Sequence, residues 1–291
     1  MNQQVTVRVP ASTSNLGPGF DALGVALRLY NTITVRRGEN ATLTSMLRSA
    51  ANKFFAASNY RGFKFSCEIN GGIPVSRGLG SSAAIRLGLM HALNELLGSN
   101  FSRSNLFALS AALEGHPDNA AAASFGGFNV VRGLETLRFE VSPELHFVLL
   151  VPDFELRTKK SRRLLPPEIP RTDAVTSAGN AAFIVAAFAS GDYEKLRGAF
   201  RDGLHQPYRM KLIPFLDDVI AAAENAGALG AFLSGSGSTI CAVTLHDPKK
   251  VGRAMQRSAG GQTTRVIMTN ADNRGVRVLR SASRLRKSQL Q

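Results

Sequence analysis

The stretch PVSRGLGSSAA, residues 74 to 84, constrains the fold more than any other, because an apolar run fit for a buried helix follows it directly and ends at Gly98. A buried helix needs a core around it, and 291 residues are ample to supply one. Gly78 and Gly80 admit left-handed backbone and leave N–H groups uncovered. Ser81 and Ser82 fall where the helix begins, at the positive end of its dipole. Ala83 and Ala84 let that helix pack closely from behind. These residues have the make-up of an anion site, although a plain Gly/Ser turn has the same composition. GxxxxGK[ST] is absent and no lysine lies nearby, which excludes the P-loop solution.

Composition removes several classes. Apolar residues make up 44% and charged residues 19%, which excludes a disordered chain. Two cysteines, Cys67 and Cys241, without a CxxC, exclude a disulfide scaffold and point to a reducing, cytoplasmic setting. The start MNQQVTVRVP lacks a signal-peptide core, and AAFIVAAFA (181–189) is too short to span a bilayer, so no membrane partner is expected. A net charge of +14 raises the question of nucleic acid. Much of the excess sits in RTKKSRR (157–163) and in RGVRVLRSASRLRK (274–287). There is no zinc-finger spacing, no RNP aromatic motif and no tryptophan. Nucleic acid is therefore not the expected partner, and a basic RNA-binding protein stands as the alternative class.

Alternation at Val5, Val7 and Val9 predicts a strand that stops at Pro10, with a loop over 11–24. Further strands are predicted at 31–37, 63–69 and 146–152, and helices at 42–57, 82–97 and 102–113. Beyond residue 152 the pattern predicts helices at 173–189, 192–204, 214–225 and 248–257. Two strands meet at a glycine turn within 227–245, and others lie near 264–269 and 275–279. Without strict βαβ repetition the class is α+β, in two domains, 1–152 and 153–291.

Three further stretches carry polar groups in small-residue loops. LEGHPDNAAAASFGG (113–127) ends a helix at Glu114 and packs His116, Asp118 and Asn119 into a short turn. Such a cluster could hold Mg²⁺ through its carboxylate and position a hydroxyl, and equally could cap the alanine helix. PASTSNLGPGFDALG (10–24) sets Asn15 and Asp21 in a glycine-lined loop, where both also serve as turn formers. LSGSGST (233–239) reads as a glycine-turn hairpin.

In this order the stretches resemble the homoserine kinases of the GHMP small-molecule kinase superfamily. The resemblance runs through PASTSNLGPGFDALG, PVSRGLGSSAA, EGHPDN, TKKSRRLLP, DGLHQPYR and LSGSGST, spanning residues 10 to 239. EGHPDN together with LHQPYR is specific to the homoserine branch. The resemblance implies a ribosomal protein S5 domain 2-like N-terminal domain, a ferredoxin-like C-terminal domain and an active site between them. It implies ATP and Mg²⁺ as cofactors, L-homoserine as substrate and a place in threonine synthesis. Another alcohol within the superfamily is the nearer alternative, and a homodimer is compatible with all of this. Backbone from Arg77 through Gly78, Leu79, Gly80, Ser81, Ser82 and Ala83 to Ala84 would wrap the ATP phosphates. Ser82 and Glu114 would hold the metal, and Ser234 and Gly235 would approach the phosphate loop. Homoserine would lie against Asn15, Asp21, His116, Asp118, Arg162 and Arg209.

The chemistry of homoserine suits those residues. Asp21 and Asp118 match its ammonium, and the forked guanidinium groups of Arg162 and Arg209 match its carboxylate. Asn119 stands where mevalonate- and galactose-type relatives place an aspartate, and an amide takes no proton at neutral pH. Asn15 and Asn119 are therefore expected to orient the attacking hydroxyl. Three departures from the family pattern stand out. Ser238 replaces the usual proline, NAAAASFGG replaces a valine- and proline-containing version, and residues 38–48 are short, so no adenine contact is assigned. His91, His146, His205 and His246 lack metal spacing and are read as structural, although His205 lies within reach in sequence of Arg209.

Overall fold

The computed structural model describes residues 2–38, 42–98 and 101–283. The end of the basic tail, from residue 284, and part of the shortened 38–48 segment lie outside the described residues. In chain order the elements are β1 (Asn2–Ser14), β2 (Leu23–Arg37), α1 (Ser45–Ser58), β3 (Phe65–Gly71), α2 (Ser81–Leu97), α3 (Arg103–Glu114), α4 (Asp118–Phe125), β4 (Phe128–Arg132), β5 (Glu135–Phe139), β6 (His146–Pro152), α5 (Thr158–Arg162), α6 (Arg171–Ser190), α7 (Gln206–Arg209), α8 (Leu216–Asn225), β7 (Gly230–Leu233), β8 (Ile240–Thr244), α9 (Pro248–Arg257), β9 (Thr264–Asn270) and β10 (Arg277–Ser283). Helices mixed with two sheets make this an α+β fold, as the pattern predicts.

A six-stranded antiparallel sheet has the order β10-β1-β2-β4-β5, with β3 also on β2. Helix α2 packs on β1 and β2 and is buried along most of its length. Gly88 is what lets it sit so close, because a Cβ there would fall 2.5 Å from Ile33. A four-stranded sheet, β7-β8-β6-β9, lies beside it. Alternation along β6 sends Phe147, Leu149 and Val151 into the larger core and Val148 and Leu150 into a second one under α8 and α9. On β8, Cys241 and Val243 face the larger core, and Ile240 and Ala242 the second. This sheet is therefore buried on both faces, which accounts for its unbroken apolar runs.

The sheets do not part at residue 152. Strand β6 lies between β8 and β9, and β10 crosses back to pair with β1. Strand β1 also continues through Pro10 to Ser14 instead of stopping there. Pairing with β10 ends at Arg8, so Pro10 meets a partner on one side only, and its missing N–H costs no ladder bond. The register with β2 shifts between Pro10 and Ala11. The helix expected over 192–204 is a single tight turn, Tyr193–Leu196. Gly198 follows at φ +76°, and Gly203 is pressed so tightly that a Cβ would meet that of Asp173 at 2.6 Å. The hairpin β4–β5 was not foreseen.

Candidate active site

The loop before α2 turns on residues that tolerate left-handed backbone. Gly78 has φ +74° and Gly80 φ +67°. Close approach demands glycine as well. A Cβ on Gly78 would lie 2.1 Å from the Ser234 carbonyl oxygen, and one on Gly80 would lie 2.0 Å from Ser12 Oγ. Gly80 caps α2 without any side-chain hydrogen bond. The N–H groups of Ser81, Ser82 and Ala83, in the first helical turn, thus have no partner within the helix. That of Ala84 is spent on the Gly80 carbonyl at 2.9 Å, which removes Ala84 from the expected cradle. Leu79 is buried and its carbonyl accepts from Ser12 N–H at 3.2 Å. Arg77 sends its guanidinium to the Pro152 carbonyl at 2.9 Å, with Asp153 and Glu155 nearby.

The 233–239 turn straps this loop to β1. Ser234 Oγ donates to the Gly78 carbonyl at 2.7 Å and pairs with Thr13 Oγ1 at 2.8 Å. Gly235 N–H donates to the Ser14 carbonyl at 3.1 Å. Ser234 is fully buried, so its hydroxyl joins two loops, and Gly235 and Ser236 are the residues of the turn that line the cleft. Asn15, in left-handed backbone, donates from Nδ2 to the Gly235 carbonyl at 2.9 Å and accepts from Asp21 N–H at 3.1 Å.

One cleft of about 290 Å³ joins these groups. At one end Ser82 Oγ donates to Glu114 Oε1 at 2.7 Å, and the Arg86 guanidinium is ion-paired with the same oxygen. A carboxylate and a hydroxyl beside uncapped helix N–H groups form a donor set that suits Mg²⁺ shared with phosphate oxygens. Among the described residues no group of three or more His, Cys, Asp and Glu side chains is placed to hold a metal alone.

Midway, the Asn119 amide is clamped: Oδ1 accepts from Ser12 Oγ at 2.7 Å and Nδ2 donates to Ser14 Oγ at 2.9 Å. Asp118 is buried, and its Oδ1 accepts from the Asn119 N–H at 2.7 Å and faces His116 Nδ1 at 3.4 Å. Burial alone would raise the Asp118 pKa, but hydrogen bonds and charge from His116 and Asn119 outweigh it and hold the carboxyl below its usual range. Burial likewise works against protonated His116, and Asp118 reverses that effect, leaving the imidazole above its ordinary value.

At the far end Arg162 is ion-paired with Asp21, and Arg209 is almost fully buried. Both guanidinium groups lie over the Phe20 ring, 5.1 and 5.2 Å from its centre. Burial first, then the nearby Arg162 charge, brings Arg209 down to about 10. His205 is kept neutral, pushed to about 4 chiefly by burial. Its Nε2 donates to the Gly17 carbonyl at 2.9 Å, so Nδ1 accepts from Arg209 Nη1 at 3.2 Å. Arg209 Nη1 also donates to the Gly235 carbonyl at 2.9 Å, while its Nε and that of Arg162 are buried without a partner among the described residues. Two cations with unspent donors at one cleft end suit a carboxylate.

The cleft thus gathers Asn15, Asp21, Glu114, His116, Asp118, Asn119, Arg162 and Arg209 with the Arg77–Ala83 loop. Sequence reasoning overlooked Phe20, Ser12, Ser14 and Arg86. The last carried a signal: it is the sole charged residue between Ser81 and Asn94 on an otherwise apolar helix. Cys67 and Cys241 are free but inert, Cys67 pushed to about 11 and Cys241 higher still, both by burial. Among the described residues no helix is long and apolar enough to cross a membrane.

The chain is similar to known proteins along nearly its whole length. The GHMP kinases N terminal domain matches residues 45–127 and the GHMP kinases C terminal domain residues 184–261. The chain is 35% identical to the homoserine kinase of Clostridium botulinum strain Eklund 17B, with 96% of this chain and 100% of that one covered. It is 38% identical to the homoserine kinase of Carboxydothermus hydrogenoformans, over 93% and 95% of the two chains. The crystal structure of homoserine kinase from Cytophaga hutchinsonii superposes with a TM-score of 0.87 at 27% identity, covering 96% of this chain and 98% of that one. With cradle, carboxylate and paired arginines in one cleft, and likeness running nearly end to end, this chain belongs to the homoserine kinase family of the GHMP kinases.

Proposed function

We propose that the protein transfers the γ-phosphoryl group of ATP to the side-chain hydroxyl of L-homoserine, giving O-phospho-L-homoserine and ADP for threonine synthesis in the cytoplasm. The observation that carries this reading is a single cleft with an uncapped helix N-terminus beside Glu114 and Ser82 at one end and Arg162 and Arg209 at the other. Backbone N–H groups from Gly78 to Ala83 bind the phosphates. Glu114 and Ser82 hold Mg²⁺, which when bound neutralises phosphate charge. Arg162 and Arg209, steadied on Phe20, take the substrate carboxylate. Its ammonium goes to Asp118 and to Asp21, the latter loosening part of its bond with Arg162.

Phosphoryl transfer through a loose transition state needs alignment and charge neutralisation more than a strong base. Asn119 supplies alignment, because its two serine partners fix which face of the amide meets the hydroxyl. The departing proton passes to a phosphoryl oxygen, directly or through water. Asn15 acts from further back, holding Gly235 and the Asp21 main chain in register. Mevalonate, which lacks an ammonium, forgoes the charge-assisted contacts to Asp118 and Asp21, worth roughly 1.5–3 kcal/mol.

A coupled ADP-release assay over homoserine, mevalonate, shikimate and galactose tests the reading. Homoserine is expected to lead the panel by at least ~10-fold in kcat/KM, the equivalent of about 1.4 kcal/mol. Preference for another alcohol would assign a different GHMP activity. RNA retention with a steep salt dependence and no turnover would replace the kinase reading altogether.

A further inference from the structure

Arg86 is an unusual residue for its place. It lies one turn behind Ser82 on α2, flanked by Ile85 and Leu87, with its side chain only 17% exposed. Nε is buried without a partner among the described residues, and the ion pair with Glu114 Oε1 is what compensates the cation. A buried guanidinium in an apolar helix is costly unless such a pair offsets it. Arg86 is not part of the cleft wall, whereas Glu114 is. The cation therefore touches the candidate metal carboxylate from behind. Ser82 donates to the same oxygen, and among the described residues no hydrogen bond falls on Oε2.

We infer that Arg86 is a positioning residue that cancels the charge of Glu114 beforehand, so that the site accepts a divalent cation with the nucleotide and not alone. The inference rests on the kinase reading above. A lone metal ion meets a carboxylate already matched by a fixed positive charge, and gains little from it. With nucleotide phosphates in the cradle, several further negative charges face the same point and the balance tips toward the metal. Ordered loading follows from the sign of one side chain.

The test uses Mn²⁺ as probe, read by its free-ion paramagnetic resonance signal, on the full chain without nucleotide. The parent is expected to take up Mn²⁺ weakly, and uptake should tighten by more than ~10-fold once a non-hydrolysable ATP analogue is added. Arg86→Gln keeps a hydrogen-bond donor but removes the charge, and should tighten nucleotide-free Mn²⁺ binding by about 10-fold. Arg86→Lys should return it to the parental value. In an Arg86→Gln, Glu114→Gln double variant the gain should vanish. Unchanged Mn²⁺ affinity in folded Arg86→Gln overturns the inference, as does a gain that survives loss of Glu114. Tight Mn²⁺ binding by the nucleotide-free parent overturns it whether or not the variants fold. Absence of any nucleotide affinity in the parent, measured by calorimetry, instead removes the kinase reading and this inference with it.

Discussion

At the end of the cleft proposed for the nucleotide, main chain from Gly78, Gly80 and the first turn of α2 forms the wall beside Glu114. At the end proposed for homoserine it is side chain: Asp21, Arg162 and Arg209 around Phe20, each held by a second residue. The first wall takes its shape from backbone dihedrals and from loops packed within van der Waals contact. One methyl group is enough to spoil it, and no substitution can retune it. The second wall takes its shape from charge and hydrogen bonding, so a changed side chain alters what it selects while the fold survives. On the proposed reading, the substrate common to all kinases meets the rigid material and the distinguishing one meets the adjustable one.

Breaking the main-chain wall should have the largest effect. Gly78→Ala puts a Cβ against the Ser234 carbonyl in a left-handed turn. We expect a loss of about 2–4 kcal/mol in stability by urea unfolding, with MgATP affinity lost alongside. Parental stability in that variant would mean the loop moves freely, and the contrast between the ends would fail. Asn119→Ala, at the junction, should lower kcat about 10²-fold, comparable to loss of one positioned donor. A drop of twofold or less removes its aligning role. Arg209→Lys should raise KM for homoserine about 10- to 100-fold, because a point charge replaces a fork, and leave KM for MgATP nearly unchanged. Equal changes in both constants would show that the ends are not separate.

The smallest effect concerns pH. His205, behind the side-chain wall, and His91, inside α2, are both held to about 4 by burial. The unfolded chain binds their protons near pH 6.5, so stability is intact above that value and declines as pH falls from 6.5 toward 4. Each imidazole contributes up to about 1.4 kcal/mol per pH unit in that window. His91→Leu should flatten the slope seen in urea midpoints, and an unchanged slope would locate the acid sensitivity elsewhere.

What could be read from the chain alone follows a physical line. Gly78 and Gly80 were legible because only glycine serves where φ is positive and another strand presses close. Helix α2 was legible because its apolar run is local. Strand β1 beyond Pro10 was not, since the pairing that makes proline harmless there depends on where a strand more than 260 residues away stops. The turn at 192–204 was misread because helical spacing outweighed Gly198 and Gly203, whose roles show only against Asp173 and the surrounding loops. At the site, the charged residues of the loops announced themselves, whereas Arg86, inside an apolar helix, did not. Ser12 and Ser14 did not, because a serine that clamps an amide looks like any other until its partner is in view.

Strand β10 has a consequence for how the molecule is made. A ribosome delivers β1 well before its edge partner β10, with the whole second sheet emerging between them. The nascent chain must carry that open flank until β10 emerges. No single cut between the sheets can yield two self-sufficient halves, and a protease clipping ahead of Arg277 would strip the outer strand from the sheet that supports the catalytic cleft.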